Sequence, residues 1–212
     1  MAKKHQSSTR IRRRQIIEAE QQKGFPTWGW YAIGGVVAIL IVAGLFFLDS
    51  RSIRNGVNPA RDIEGAQVLP EPGRGHLNGD ITYAVPIPVG GQHNPAWQNC
   101  GIYEDEIRTE NAIHSMEHGA VWISYQPEIG EAQVEQLREL VRGERTRFRN
   151  FYLLAPKSNA PAPIVVTAWR AQLEVEDAGD DRILDFMQRF HVGPFTPERG
   201  AACTGGVGEP SS

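Results

Sequence analysis

The densest chemistry in this 212-residue chain lies between Thr109 and Gly119, which read Thr-Glu-Asn-Ala-Ile-His-Ser-Met-Glu-His-Gly. On a helix, His114 and His118 stand at i, i+4 on one face, near enough to hold one metal ion. Thr109 is placed to cap such a helix and Gly119 to end it. As a string, His114-Ser115-Met116-Glu117-His118 also matches the H-x-x-E-H pattern of inverted zinc peptidases, in which two histidines bind zinc and the glutamate activates water. A strand begins directly after Gly119, so the helix is short, and no third ligand stands at a defined spacing. Metal binding without hydrolysis therefore fits better than a peptidase.

His93 is the third imidazole expected at this site. The run Pro86-Ile87-Pro88-Val89-Gly90-Gly91 ahead of it can bend it back, and metal sites commonly draw ligands from separated segments. The expected set is His93, His114 and His118, with Glu117 as a further ligand or behind them; zinc and copper are the ions that suit it. Met116 would add a soft donor for copper(I), although methionine more often fills a core. Two alternatives stand beside this: the same residues brace loops in a structural or interaction protein of the cell envelope, or Glu117 is the base of a zinc hydrolase.

Cys100 and Cys203 are the only cysteines, and in an oxidising compartment a disulfide between them is the favoured state. A soft metal ligand or two inert thiols are the alternatives. Glu104, Asp105, Glu106 and Glu110 lack the spacing of a calcium loop and read as a solvated loop. Trp97, Trp122 and Trp169 read as core or as a binding platform, and core is favoured because two of them lie in strands. The chain carries no phosphate-cradling loop, nucleophile elbow or dinucleotide fingerprint.

These residues sit in the second of two chemically different parts. Residues 28–48 carry no charge and match the ~20 apolar residues needed to cross a bilayer, with Trp28, Trp30 and Tyr31 at one end. Residues 1–27 hold seven basic against two acidic side chains, a balance of +5, and the remainder balances at −8. Positive flanks stay on the cytoplasmic side, so the expected protein is a single-pass, signal-anchored membrane protein with its C-terminal domain exported. Its expected partner is the lipid bilayer; the acidic folded part excludes nucleic acid.

Residues 49–75 are rich in Gly, Pro, Asn and Arg and read as a flexible stalk, residues 76–200 as one exported domain and residues 201–212 as a loose tail. Within the domain, 81–85, 120–125, 151–155 and 164–169 read as strands, the last two joined by a hairpin-like Pro-rich connection. Residues 131–142 and 180–190 read as amphipathic helices. The expected fold class is α+β, with helices packed on one face of a small antiparallel or mixed sheet.

Several of these segments taken together resemble the bacterial Domain of Unknown Function 3105 family. They are Tyr83, Pro86 through His93, Cys100-Gly101-Ile102-Tyr103 and His114 through Val121, followed by Ala168-Trp169 and Pro197-Glu198. The family pattern has roughly Pro-Pro-x-Ser-Gly-x-His and Val-His-Ser-Leu-Glu-His-Gly. This chain matches it at His93, His114, Glu117, His118 and Gly119, and has Gly90 at the serine, Ile113 at the valine and Met116 at the leucine. The resemblance implies a membrane-anchored exported protein and supplies no reaction.

Overall fold

The computed structural model describes residues 31, 36–40, 58–147 and 150–211. The chain divides into two compact units, Met1–Asn55 and Gly56–Ser212. In the first, Tyr31 and residues 36–40 are helical, and Tyr31, Val36, Val37, Ile39 and Leu40 are exposed. Among the described residues no helix is long and apolar enough to cross a membrane. The basic tail and most of the span expected over 28–48 lie outside the described residues.

The elements described in the second unit are, in order, β1 (Gln67–Val68), β2 (Arg74–His76), β3 (Gly91–His93), β4 (Gly101–Ile102), α1 (Thr109–His118) and β5 (Val121–Tyr125). After them come α2 (Glu131–Arg147), β6 (Tyr152–Pro156), β7 (Ile164–Ala168), β8 (Ala171–Val175) and α3 (Asp181–Phe190). Six strands form one sheet in the order β1-β8-β7-β5-β6-β4. β4, β6 and β5 run parallel, whereas β5–β7, β7–β8 and β8–β1 are antiparallel, so the sheet is mixed and the class is α+β. β2 and β3 form a separate parallel pair.

β5, β6 and β7 are buried on both faces, as central strands with near-continuous apolar sequence must be. Side chains alternate along each strand. Ile123, Leu154 and Val166 point to one face and meet Leu137 of α2 and Ile183, Phe186 and Phe190 of α3. Trp122, Leu153 and Val165 point to the other and meet Ala112, Ile113 and Met116 of α1 with Trp169. Helices were expected on one face; α1 instead covers the opposite one, because strands apolar on both sides need cover on both. Met116 is fully buried in that core.

Other expectations are also corrected. Residues 81–85 form no strand: the Ile81 N–H donates to Glu110 Oε1 at 3.0 Å instead of to a ladder, and prolines follow at once. β6 and β7 are not a hairpin, since β5 lies between them. β8 was missed because Gln172 and Glu174 alternate with its buried residues, and it is joined to β7 through Arg170, whose φ is +64°. α2 passes through Gly143 to Arg147. From residue 58 onward the stretch read as a stalk belongs to the folded unit: Ala60 and Ile63 are buried, and β1 pairs with β8. The C-terminal tail is docked as well, with the Val207 N–H donating to the Trp97 carbonyl at 2.9 Å and the Ser211 N–H to that of Ile102 at 2.8 Å.

Candidate metal centre

α1 begins without the expected cap: Arg108 is the N-cap residue, no side chain caps the helix, and Thr109 lies inside it. The end is set by Gly119, whose φ of +116° is a left-handed conformation that glycine adopts without strain. A Cβ there would also lie 2.9 Å from Val192 Cα. This abrupt stop leaves His118 only three residues from β5 and holds α1 against the sheet.

With the helix fixed, the rings of His114 and His118 lie 4.6 Å apart between centroids, as i, i+4 spacing requires. In the β2–β3 pair His76 stands in register with His93, and their rings are 4.8 Å apart. His114 completes the group at 4.8 Å from the His76 ring and 4.9 Å from that of His93. Glu117 Oε2 lies 2.9 Å from His93 Nε2 and 3.8 Å from His76 Nε2. The candidate ligand atoms of His76, His93, His114 and Glu117 all lie within 4.8 Å of one another; those of His114, His118 and Glu198 form a second such set.

Three of the imidazoles have their orientation fixed by the backbone. His93 Nδ1 meets the Gly91 carbonyl at 2.8 Å, His114 Nδ1 that of Asn94 at 2.7 Å and His118 Nδ1 that of Ala202 at 2.6 Å. A carbonyl only accepts, so each Nδ1 carries a proton and donates, and Nε2 is the ring atom each imidazole has left for the cluster. Donation of one ring N–H to a backbone carbonyl is the support that metal-ligating histidines take. The His93 Nε2 is fully buried with no hydrogen-bond partner, although a carboxylate oxygen stands 2.9 Å away.

Burial, reinforced by the neighbouring His118, His93 and His76, pushes the His114 imidazole down to about 4, against the opposing pull of the Asn94 carbonyl. It is neutral near pH 7, as a ligand must be. Two further polar groups of α1 are laced to the loop before β4: Asn111 Nδ2 donates to the Ala96 carbonyl and Ser115 Oγ–H to that of Gln98. Trp97 flanks the His114 and His118 rings at 5.8 and 5.2 Å. Against the sequence expectation, Glu110 is buried in α1 and Trp97 edges the site rather than filling the core.

Cys100 and Cys203 form a disulfide with Cα atoms 5.4 Å apart. It anchors the segment that reaches the end of α1, where the Glu198 and Gly200 N–H groups donate to the carbonyls of Glu117 and His118. The expected residues His93, His114, His118 and Glu117 are thus gathered, but around His114 and not around one point: His118 turns toward Glu198. His76 and Glu198 were not expected. His76 sat at the margin of the supposed stalk, and Glu198 was visible only in the Pro197-Glu198 landmark.

The family described as "Protein of unknown function (DUF3105)" matches residues 76–205, more than half of the chain and all six of the clustered side chains. The chain belongs to the DUF3105 family. No curated protein matches the chain, and no solved structure does. The Gly90 that replaces the family serine is packed tightly here: a Cβ would meet Pro72 Cγ at 2.7 Å and Trp169 at 3.1 Å.

Proposed function

We propose that this chain is a membrane-tethered, extracytoplasmic protein whose folded unit binds one divalent transition-metal ion through His76, His93, His114 and Glu117. The observation that carries this reading is the buried contact between His93 Nε2 and Glu117 Oε2 at 2.9 Å. With His93 Nδ1–H committed to Gly91, Nε2 is the ring atom left to meet the carboxylate, and a cation shared by the two takes the place that a second ring proton would otherwise fill. A tetrahedral ion with bonds of about 2.0–2.1 Å needs donors roughly 3.3 Å apart, which the cluster reaches by small side-chain rotations. Its donors are nitrogen and oxygen only, since both cysteines are bridged and Met116 is core. That favours a borderline divalent ion such as zinc or copper(II) over copper(I).

The hydrolase alternative needs His114 and His118 on one ion with Glu117 aside as base. Glu117 instead lies among the ligand atoms of the His76–His93–His114 group, which favours a ligand role. Supporting the location are the +5 tail beside the uncharged run 28–48 and the disulfide, which is favoured in an oxidising compartment. Protease added to intact spheroplasts is expected to digest the folded unit; protection until the membrane is broken removes the location.

The function is tested by titrating the purified chain with Zn²⁺ and with Co²⁺, whose visible spectrum reports tetrahedral coordination. One ion per chain is expected, with affinity at least ~100-fold weaker in Glu117→Gln. If the wild-type chain binds no ion, the residues only brace loops and the envelope-structure reading replaces this one.

A further inference from the structure

The two ligand sets share His114, and the shared residue has one free lone pair. Its Nδ1–H is donated to the Asn94 carbonyl, so only Nε2 can ligate, and one nitrogen lone pair serves one ion at a time. Two complete sites therefore do not fit. The sets also differ in kind. The first offers four protein ligands, with the Glu117 side chain only 5% exposed. The second offers three, and its carboxylate, Glu198, is 53% exposed while His118 is 5% exposed. Water would complete coordination there, and a site with open positions exchanges its ion more readily than a closed one.

We propose that His118 and Glu198 form an outer loading position, from which a single divalent ion passes to the inner His76–His93–His114–Glu117 position by ligand exchange at His114. This rests on the metal-binding reading above and adds a route to it. The step requires little movement, because the His114 and His118 rings are 4.6 Å apart. The Trp97 indole lies beside both rings along the way. Charge supports the direction: the solvent-exposed carboxylate meets the hydrated cation first, and the buried one holds it after dehydration.

The test compares equilibrium and rates in the full-length chain, using Co²⁺ as probe and a chelator to start release. In Glu198→Gln, association and release are both expected to slow by roughly tenfold, the low end of what losing a carboxylate from a metal's coordination sphere costs, because the outer position is then less often occupied, while Kd at the inner position stays unchanged. The deficit should persist in 1 M salt, where the screening length falls to about 3 Å and simple steering is lost. Glu198→Asp should recover most of the rate. Unchanged rates in Glu198→Gln mean that the ion enters past the half-exposed His76, and overturn the proposal. A stoichiometry of two ions per wild-type chain, or a Kd that weakens in Glu198→Gln without slower association, overturns it too. Absence of any bound ion in the wild type is a separate result, read at equilibrium, and removes the underlying metal reading along with the route.

Discussion

α1 and α3 are both ten residues long and cover opposite faces of one sheet, yet they are held there by different physics. α3 buries an apolar stripe of Ile183, Phe186, Met187 and Phe190 and leaves its polar residues outward. Burial of such side chains at roughly 1.5–3 kcal/mol each suffices to dock it. In α1 every residue is buried, and seven of the ten are polar: Thr109, Glu110, Asn111, His114, Ser115, Glu117 and His118. Burying polar groups costs stability unless each finds a partner. Most do so among the carbonyls of 94–98 and 202. The partnering fails at His93 Nε2, which faces Glu117 of α1, and a helix whose buried polar groups are otherwise largely satisfied points to a ligand at that one unfinished contact.

The largest test of this contrast is Phe186→Ala. It should lower unfolding stability by about 3–5 kcal/mol in a denaturant titration and leave Zn²⁺ affinity unchanged. A matching loss of affinity would show that the two faces are not separable.

Next is removal of the disulfide by replacing Cys100 and Cys203 with serine. The bridge spans 103 residues, and losing it should cost about 2–5 kcal/mol. Because Cys203 adjoins Ala202, whose carbonyl orients His118, the exchange rate of a bound ion should also change. An effect on stability alone would uncouple the tail from the α1 site.

The smallest effect is one of pH. Burial holds the folded His114 near 4, against about 6.5 in the unfolded chain, so the unfolded state takes up the proton first as pH falls. The ion-free protein should have its full stability above about pH 6.5 and lose it as pH drops toward 4. Between pH 7 and 5 this group accounts for about 1–2 kcal/mol. His114→Gln should flatten that decline; equal slopes in variant and wild type would mean the imidazole is not held neutral by burial.

The same contrast explains what could be read from the sequence. β5 and α3 were legible because dense β-branched residues and a helical apolar stripe report burial directly. The His114–His118 pair and its stop at Gly119 were legible from spacing. β8 was not, since its alternating Gln172 and Glu174 dilute the apolar signal. The docked tail was not legible either, because its glycines read as disorder. Gly206 is there instead for closeness: it lies against Trp97 with no room for a Cβ. His76 escaped because its role depends on pairing with β3, a long-range contact that local composition does not encode.

That pairing has a consequence for how the site tolerates change in length. His76 and His93 stand opposite each other in a parallel ladder whose spacing of about 4.7–4.9 Å matches the 4.8 Å between their rings. The connection between the two strands is itself tied down at Ile81, Ile87, Val89 and Gly90, which leaves its exposed residues as the places where its length can change. A single-residue insertion or deletion inside Arg74–His76 would slip the register by one and turn His76 to the opposite side. Drift in length is therefore confined to the exposed part of the loop and forbidden in the three residues of the strand.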